Sequence, residues 1–177
     1  MHEIKHDGYR LMVHRSGAHV RLVTRRGAIW THKYPLVVES ALQVKIERFV
    51  FDGEVVFCGK DGVTNFDKLH SQAYNEQAIF YAFDLLLMGE EDMRPKPLEE
   101  RKALLKTIIG KRVRGILFND HMEGDGAQIF RHACKLGLEG IVSKRRDLPY
   151  RAGRSRAWVK VKNPKSPSVT RVIEGRW

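Results

Sequence analysis

The sequence predicts an α+β fold in which antiparallel sheets are flanked by helices. Two observations support this class: strand-like segments outnumber helix-like ones, and short turns join successive strands as in hairpins. The composition is that of a folded domain, since 42% of the residues are hydrophobic and 30% are charged. At 177 residues the chain can enclose one substantial core, so we expect a single domain.

The first half of the chain is predicted to be mainly β-structure. Apolar and polar residues alternate along several segments that are rich in β-branched side chains. These segments predict strands near 3–5, 9–14 and 19–24, and two further strands are predicted at 48–57 and 78–87. Pro35 precedes a short predicted helix over 36–42, because Pro is favoured at the first helical position. The segment 78–87 is nearly all apolar and should therefore lie in the centre of its sheet.

The second half mixes helices with strands. A helix is predicted from Pro97, with acidic residues in its first turn that complement the helix dipole. Another helix is predicted over 127–136 and ends at Gly137. The remaining predictions are strands at 113–118, 138–144 and 157–161 and a loose segment at 163–168.

Positive charge is concentrated towards the carboxyl end. The net charge is +11, and residues 141–177 hold eleven Lys or Arg against Asp147 and Glu174. Such a surface attracts polyanions, so nucleic acid or nucleotide phosphate is the expected partner. A soluble basic surface with no specific partner is the alternative.

Nothing in the sequence indicates a membrane or secreted protein. No apolar run approaches the ~20 residues that cross a bilayer, and the amino terminus lacks the apolar core of a signal peptide. Cys58 and Cys134 are too few for a disulfide framework or a zinc site, so both should be reduced. We therefore expect a cytoplasmic protein.

Three lysines suggest phosphate chemistry. Lys5 comes directly before the turn formed by Asp7 and Gly8. A lysine attacks phosphorus only as the neutral amine, so its ordinary pKa of about 10.4 must fall through burial or neighbouring cations. Lys160 and Lys162 lie on one face of a predicted strand and suit a single phosphate group. Ordinary surface lysines are the alternative for all three.

Two carboxylates and one aromatic residue extend this pattern. Glu54 lies within an apolar strand, where an acid is costly unless it faces a pocket or a metal. Glu139 precedes another apolar strand, and two such carboxylates suit Mg²⁺, or Mn²⁺, beside a triphosphate. Phe83 is suited to stacking on a purine. A strand-edge charge for each acid and a core position for Phe83 are the alternatives.

Five segments in order carry a resemblance to a known family. They are Lys5-His6-Asp7-Gly8-Tyr9-Arg10, Asp52-Gly53-Glu54, Tyr81-Ala82-Phe83-Asp84-Leu85-Leu86, Glu139-Gly140-Ile141-Val142-Ser143-Lys144 and Trp158-Val159-Lys160-Val161-Lys162. Across essentially its whole length the chain resembles the adenylation domain of ATP-dependent DNA ligases, most closely the bacterial ligases of end joining. The resemblance implies a nucleotidyltransferase fold.

The resemblance also implies the catalytic roles. Lys5 is the nucleophile that takes AMP from ATP, and the AMP then passes to the 5′-phosphate of a DNA nick, which is sealed. Lys160 and Lys162 hold the α-phosphate. Glu54 contacts the ribose or the divalent metal, and Glu139 supports the metal, so ATP and Mg²⁺ (or Mn²⁺) are the implied cofactors.

The resemblance also assigns binding roles to five further residues. Glu3 lies on the adenine side, and Phe83 stacks on the adenine. Arg10 contacts the nucleotide near the ribose and phosphate, whereas Arg25 reaches the nucleotide or the nick phosphate. Lys144 is a phosphate or nucleic-acid contact.

The resemblance divides the chain into an adenylation domain at 1–163 and a basic segment at 164–177, where related ligases continue into an oligonucleotide-binding (OB) fold. It implies a monomer without the OB fold, acting on nicked double-stranded DNA in the bacterial cytoplasm, with a partner protein or domain supplying that fold. A noncatalytic DNA-binding remnant is one alternative. An RNA ligase or capping-type nucleotidyl transferase is the other.

Overall fold

The computed structural model describes residues 1–110, 113–153 and 155–173. Residues 172 and 173 are described by their backbone alone. The strands in the described part are β1 (His2–Ile4), β2 (Tyr9–Ser16), β3 (His19–Thr24), β4 (Arg48–Val56), β5 (Ile79–Met88), β6 (Glu91–Asp92), β7 (Ile116–Phe118), β8 (His121–Met122), β9 (Gly140–Lys144) and β10 (Trp158–Lys162). The α-helices are α1 (Pro35–Gln43), α2 (Phe66–His70), α3 (Leu98–Ile109), α4 (Gly126–Lys135) and α5 (Pro167–Ile173). Among these helices none is long and apolar enough to span a bilayer.

The strands form two separate sheets. The larger has the order β3-β2-β4-β5-β6, with β7 added alongside β5. The smaller has the order β10-β9-β1-β8. Every pairing within the two sheets is antiparallel except that of β5 with β7. The predicted α+β class with antiparallel sheets is therefore confirmed, and the apolar strand β5 is central as expected.

The main core lies between the larger sheet and the helices that cover it. The rings of Phe49 and Phe51 are stacked in this core, 3.9 Å apart and fully buried. Leu105 and Ile109 bring the apolar face of α3 against β5. Burial of these side chains supplies the main driving force for folding, at roughly 25 cal/mol per Å² of apolar surface.

Two glycines let neighbouring strands approach each other closely next to Glu54 and Glu139. A Cβ at Gly53 would lie 2.3 Å from the Phe80 ring and 2.4 Å from the Tyr81 carbonyl oxygen. A Cβ at Gly140, where φ is 144°, would lie 2.0 Å from the Val161 carbonyl oxygen. Each glycine is adjacent to a carboxylate, Glu54 or Glu139, so the close strand packing fixes the backbone from which that carboxylate projects.

The chain crosses between the two sheets at two neighbouring places. Residues 5–8 lead from β1 in the smaller sheet to β2 in the larger sheet. Asn119 and Asp120 lead back from β7 in the larger sheet to β8 in the smaller one. Lys5, the residue singled out by the sequence, therefore lies where the chain leaves one sheet for the other.

The prediction of a loose segment at 163–168 was wrong. Asn163 donates from its backbone to the Glu139 carbonyl oxygen at 2.8 Å and from its side chain to the Leu138 carbonyl oxygen at 3.0 Å. Asn163 and Ser166 are buried, and α5 begins one residue later, at Pro167. The prediction failed because Pro and Ser favour turns, and these side chains are ordered by contacts with residues that are distant in sequence.

Candidate active site

Two cavities meet at Lys5 in the cleft between the sheets. The smaller, of about 140 Å³, is enclosed by residues of both sheets, and the larger, of about 690 Å³, lies on the other side of Lys5. Lys5, His6 and Glu54 line both cavities. Lys5 therefore lies in the wall that the two cavities share.

Every site residue indicated by the sequence lines one or both cavities. The smaller cavity is lined by Glu3, Lys5, Arg10, Arg25, Glu54, Phe83, Lys144 and Lys160. The larger cavity is lined by Lys5, Glu54, Glu139 and Lys162. Residues that are far apart in the sequence are thus brought together, which is the geometric condition that their proposed chemistry requires.

Lys5 is fixed by hydrogen bonds from both its backbone and its side chain. Its backbone N–H donates to the Gly140 carbonyl oxygen at 3.0 Å, which continues the pairing of β1 with β9. Its Nζ donates to the Glu139 carboxylate in a close ion pair. The other Glu139 oxygen lies 3.5 Å from Nζ of Lys162, so this buried carboxylate joins two of the three lysines.

Lys160 lines the smaller cavity among the positive charges of Lys5, Arg10 and Arg25. Burial, with Lys5 next in importance, lowers the pKa of Lys160 below its ordinary value, although Glu54 opposes the shift. Two neighbouring ammonium groups repel each other in a partly desolvated site. An anion bound between them relieves that repulsion, so the arrangement favours a phosphate group.

Glu54 and Glu139 are the candidate metal-binding carboxylates. Burial raises the pKa of Glu54 to about 8, while Lys5 and Lys160 act in the opposite direction and Glu139 adds to the rise. Within the described residues no group of three or more His, Cys, Asp or Glu forms a cage for a metal. Mg²⁺ commonly uses one or two carboxylates together with substrate phosphates and water, so this pair fits such an ion.

Arg10 is oriented by partners that the sequence did not reveal. It donates to both oxygens of Asp52, at 3.0 and 2.6 Å, and Asp52 is fully buried. The Tyr150 hydroxyl donates to the same carboxylate at 3.0 Å. The Arg10 guanidinium lies 5.6 Å from the ring centroids of both Phe83 and Trp158. This planar cation is therefore fixed at the wall of the smaller cavity.

The apolar end of the smaller cavity is formed by aromatic rings. Phe83 and Trp158 meet edge to face, with centroids 5.7 Å apart. Nζ of Lys144 lies 4.3 Å from the Phe83 centroid and 4.1 Å from that of Trp158. Lys144 is buried and pairs with Glu3 at 2.6 Å, so the structure places it at the aromatic end, away from the surface.

Glu3 is the centre of a buried polar cluster. Lys102, which the sequence reading missed, donates from Nζ to Glu3 Oε1 at 2.7 Å. Burial opposes ionisation of Glu3, but the ammonium groups of Lys144 and Lys102 hold its pKa below the ordinary value. Asn119 also donates to Glu3, at 3.1 Å. The sequence did contain a signal for Lys102, which lies on the same face of α3 as the apolar residues Leu105 and Ile109. A charged side chain on a buried face needs a partner of opposite charge.

Helix α5 closes one side of the larger cavity. Arg171 donates to the Asp7 carboxylate and, at 3.1 Å, to Asp67 Oδ1. Its guanidinium lies 4.5 Å from the Phe66 ring centroid. Burial raises the pKa of Asp7, while Arg171 counteracts the shift. The turn that follows Lys5 is thereby tied to the segment that the sequence predicted as a basic tail.

Comparison with known proteins agrees with this geometry. The family model described as ATP dependent DNA ligase domain matches residues 1–162. The multifunctional non-homologous end joining protein LigD of Pseudomonas aeruginosa is 36% identical over 165 residues, 91% of this chain and 20% of that protein. The corresponding LigD DNA repair protein of Mycobacterium tuberculosis is 34% identical over 176 residues, 99% of this chain and 22% of that protein.

A solved structure extends the comparison to the fold. The mycobacterial DNA ligase D complexed with ATP and MES has a TM-score of 0.79 and 33% identity, and the match covers 91% of this chain and 53% of that one. The predicted nucleotidyltransferase fold is confirmed. The chain spans about a fifth of the length of the LigD relatives. It belongs to the family of ATP-dependent DNA ligase domains.

Proposed function

We propose that this chain is the adenylation core of a DNA ligase and that Lys5 carries AMP from ATP to a DNA nick. The observation that carries the proposal is the position of the Lys5 amine. It lies between a cavity of about 140 Å³ with an aromatic end and a second cavity of about 690 Å³. Residues 1–163 would form the adenylation domain, and 164–177 a basic segment that continues from it.

ATP binds in this proposal with its base at the aromatic end of the smaller cavity. Phe83 provides a face for adenine, and base–aromatic stacking is worth ~1–3 kcal/mol. Glu3 and Lys144 line this end, so they lie beside the base, and Arg25 lines the same cavity. Arg10, fixed by Asp52, reaches the ribose and phosphate.

The first chemical step transfers AMP to Lys5. Nζ of Lys5 first gives its ammonium proton to the Glu139 carboxylate, which already accepts a hydrogen bond from it. The neutral amine then attacks the α-phosphorus, a P–N bond forms, the bond to the pyrophosphate oxygen breaks, and pyrophosphate leaves. Lys160 and Lys162 stabilise the negative charge that builds up on the phosphate oxygens in the transition state.

Glu54 and Glu139 would hold Mg²⁺ or Mn²⁺ beside the phosphates. When bound, the metal ion supplies further charge stabilisation for the phosphate oxygens. It also favours the ionised form of Glu54, whose pKa is otherwise raised by burial. The chain's own part is to present two oxygen ligands from separate elements of the cleft.

The second substrate in this proposal is nicked double-stranded DNA. The AMP on Lys5 passes to the 5′-phosphate of the nick, and attack by the 3′-hydroxyl then seals the strand and releases AMP. Exposed cations of the carboxyl-terminal part of the chain, among them Arg151, Arg156 and Lys165, support binding to the DNA backbone. We propose that the monomer acts in the bacterial cytoplasm and that an OB fold from a partner or another domain assists sealing.

The test is labelling of the protein with α-labelled ATP and a divalent metal, resolved on a denaturing gel. Wild type and the control Lys45→Ala, which removes an exposed lysine outside both cavities, should be labelled. Lys5→Ala should fold and remain unlabelled. Label retained by Lys5→Ala would disprove the nucleophile assignment.

The same preparation separates the alternatives. Salt-sensitive binding to nicked DNA without any labelling of the wild type would identify a noncatalytic remnant. Labelling by GTP in preference to ATP, or sealing of RNA in preference to DNA, would identify a different nucleotidyl transferase. Labelling by ATP and transfer of AMP to a DNA nick is the result expected here.

A further inference from the structure

Asn119 occupies the second crossing between the two sheets. It follows β7 of the larger sheet and precedes β8 of the smaller sheet by one residue. Its backbone N–H donates to the Ala82 carbonyl oxygen at 2.8 Å, which fastens it to β5. The first crossing, residues 5–8, begins at Lys5. Asn119 is therefore attached to the larger sheet at a point facing the strand that carries the nucleophile.

The Asn119 side chain contacts residues on both sides of Lys5. Its Nδ2 donates to Glu3 Oε2 at 3.1 Å, and its Oδ1 accepts from His6 Nε2 at 3.0 Å. The amide orientation follows from Glu3, since an ionised carboxylate only accepts hydrogen bonds. Burial lowers the pKa of His6, which favours the neutral ring. Because the amide oxygen of Asn119 only accepts, Nε2 is the His6 nitrogen that donates.

Lys102 completes the connection between the sheets. Its Nζ donates to Glu3 Oε1 at 2.7 Å and to the Asn119 carbonyl oxygen at 2.8 Å. Lys102 comes from α3, which packs on β5 and β7 of the larger sheet. Glu3 and Lys102 are each 1% exposed, so water does not compete for these bonds. The two sheets are thus joined through buried polar contacts beside the nucleophile.

We propose that Asn119 is a positioning residue for lysine adenylation: by binding both Glu3 and His6 it fixes the segment that carries Lys5 across the cleft. The inference rests on the proposed function, because it concerns the pose of the same nucleophile. Asn119 acts through Glu3 and His6 and does not itself touch the reacting atoms. Small errors in nucleophile position slow an in-line displacement strongly, so loss of this contact is expected to reduce the rate.

Two other roles for Asn119 make different predictions. Asn119 is 5% exposed and lines the smaller cavity near Phe83, so it is placed where it could read the edge of the base. Removal of a base-reading group changes the preference for ATP over GTP. A purely structural role lowers stability and leaves the rate of the folded fraction unchanged. Positioning instead lowers the maximal rate with both nucleotides in proportion.

The experiment measures the rate of lysyl-AMP formation against ATP concentration for wild type, Asn119→Ala and Asn119→Asp. Asp120→Ala is the matched control, since Asp120 is the exposed neighbour that lines neither cavity. Asn119→Ala should lower the maximal rate at least tenfold while the KM for ATP changes less than threefold and the ratio of ATP to GTP use is retained. The control should match wild type.

Asn119→Asp adds a readout that a structural role does not move. The introduced carboxyl keeps an acceptor for His6 but replaces the amide donor that faces Glu3. The titratable groups that contact Asn119 are Glu3, His6 and Lys102, and Lys144 and His121 lie beyond them, beside Glu3. Only the protonated carboxyl can donate to Glu3, so the rate of this variant relative to wild type should rise as the pH falls from 8 to 6.

The outcomes are distinguishable. An unlabelled wild type overturns the proposed function and this inference with it. A labelled wild type with Asn119→Ala at the wild-type rate overturns the positioning role alone. A changed ATP to GTP ratio, or an Asn119→Asp rate that keeps a constant ratio to wild type at every pH, also refutes positioning. Should Asn119→Ala not fold, Asn119→Asp decides between these results.

Discussion

Removal of Arg101 should strongly destabilise the fold. Arg101 donates to both oxygens of Asp84, at 2.7 and 2.9 Å, and the side chains are 1% and 0% exposed. Arg101→Met fills most of the volume but leaves a buried carboxylate without its partner. Breaking a buried ion pair from one side costs about 3–5 kcal/mol. For a chain of this size that is roughly 6–20 °C in Tm.

The exposed pair Arg94–Asp92 supplies the control. Arg94 also makes a bidentate pair, with hydrogen bonds of 2.8 and 2.7 Å to the Asp92 carboxylate, but these two side chains are 59% and 44% exposed. Solvent screens such a pair, so Arg94→Met should unfold at a urea midpoint within error of wild type. Urea unfolding of wild type and both variants, fitted with a common m-value, measures the difference.

The pH dependence of the Arg101→Met loss provides a second check. Burial already raises the pKa of Asp84, and loss of Arg101 raises it further. The folded state then holds a proton that the unfolded state releases, so stability falls as the pH rises through this range. The loss should therefore be smaller at pH 4 than at pH 7. Equal losses for Arg101→Met and Arg94→Met would refute the reasoning.

Three further predictions follow from contacts around the site. Glu3→Gln should destabilise the protein at pH 7, and its difference from wild type should shrink below pH 4. The lowered pKa of Glu3 contributes its full stability above the ordinary pKa of a Glu and loses it as the pH falls towards the lower, folded-state pKa. A difference that stays constant in urea melts between pH 3 and 7 contradicts this. Tyr150→Phe removes the hydrogen bond to Asp52 and should lower the free energy of unfolding by about 1–2 kcal/mol. Because Asp52 orients Arg10, the variant should also be labelled severalfold more slowly. An unchanged urea midpoint and labelling rate would show that Tyr150 is dispensable. Gly53→Ala should cost about 1–3 kcal/mol or more through overpacking against Phe80, and a urea midpoint equal to wild type would show that the strands can separate.

The sequence predicted the larger elements because their signals are local. The nearly continuous apolar run of β5 follows from its central place in the larger sheet, and Pro35 and Gly137 mark helix ends by their backbone preferences. The short elements were missed because a local signal needs enough residues to repeat. Helix α2 has five residues and β8 has two, so neither contains a full period of its pattern.

The partners of the site residues could not be predicted, because they are defined only by the fold. Asp52 was grouped with Glu54 as an acid in an apolar strand, yet Asp52 orients Arg10 while Glu54 faces the cavities. Tyr150 is 98 residues from Asp52 along the chain, and Lys102 is 99 residues from Glu3. No local periodicity relates residues at such separations.

These long-range partners explain how a site made from two sheets keeps its geometry. Arg10 and Phe83 belong to the larger sheet, whereas Lys144 and Lys160 belong to the smaller one. A shift of one sheet relative to the other would move Lys160 and Phe83 apart. Buried polar bonds through Asn119 and Lys102 resist that shift, because separating them would leave Glu3 with unpaired charge away from water. The reactive lysine lies next to these bonds, so the contacts that hold the sheets together also determine its position.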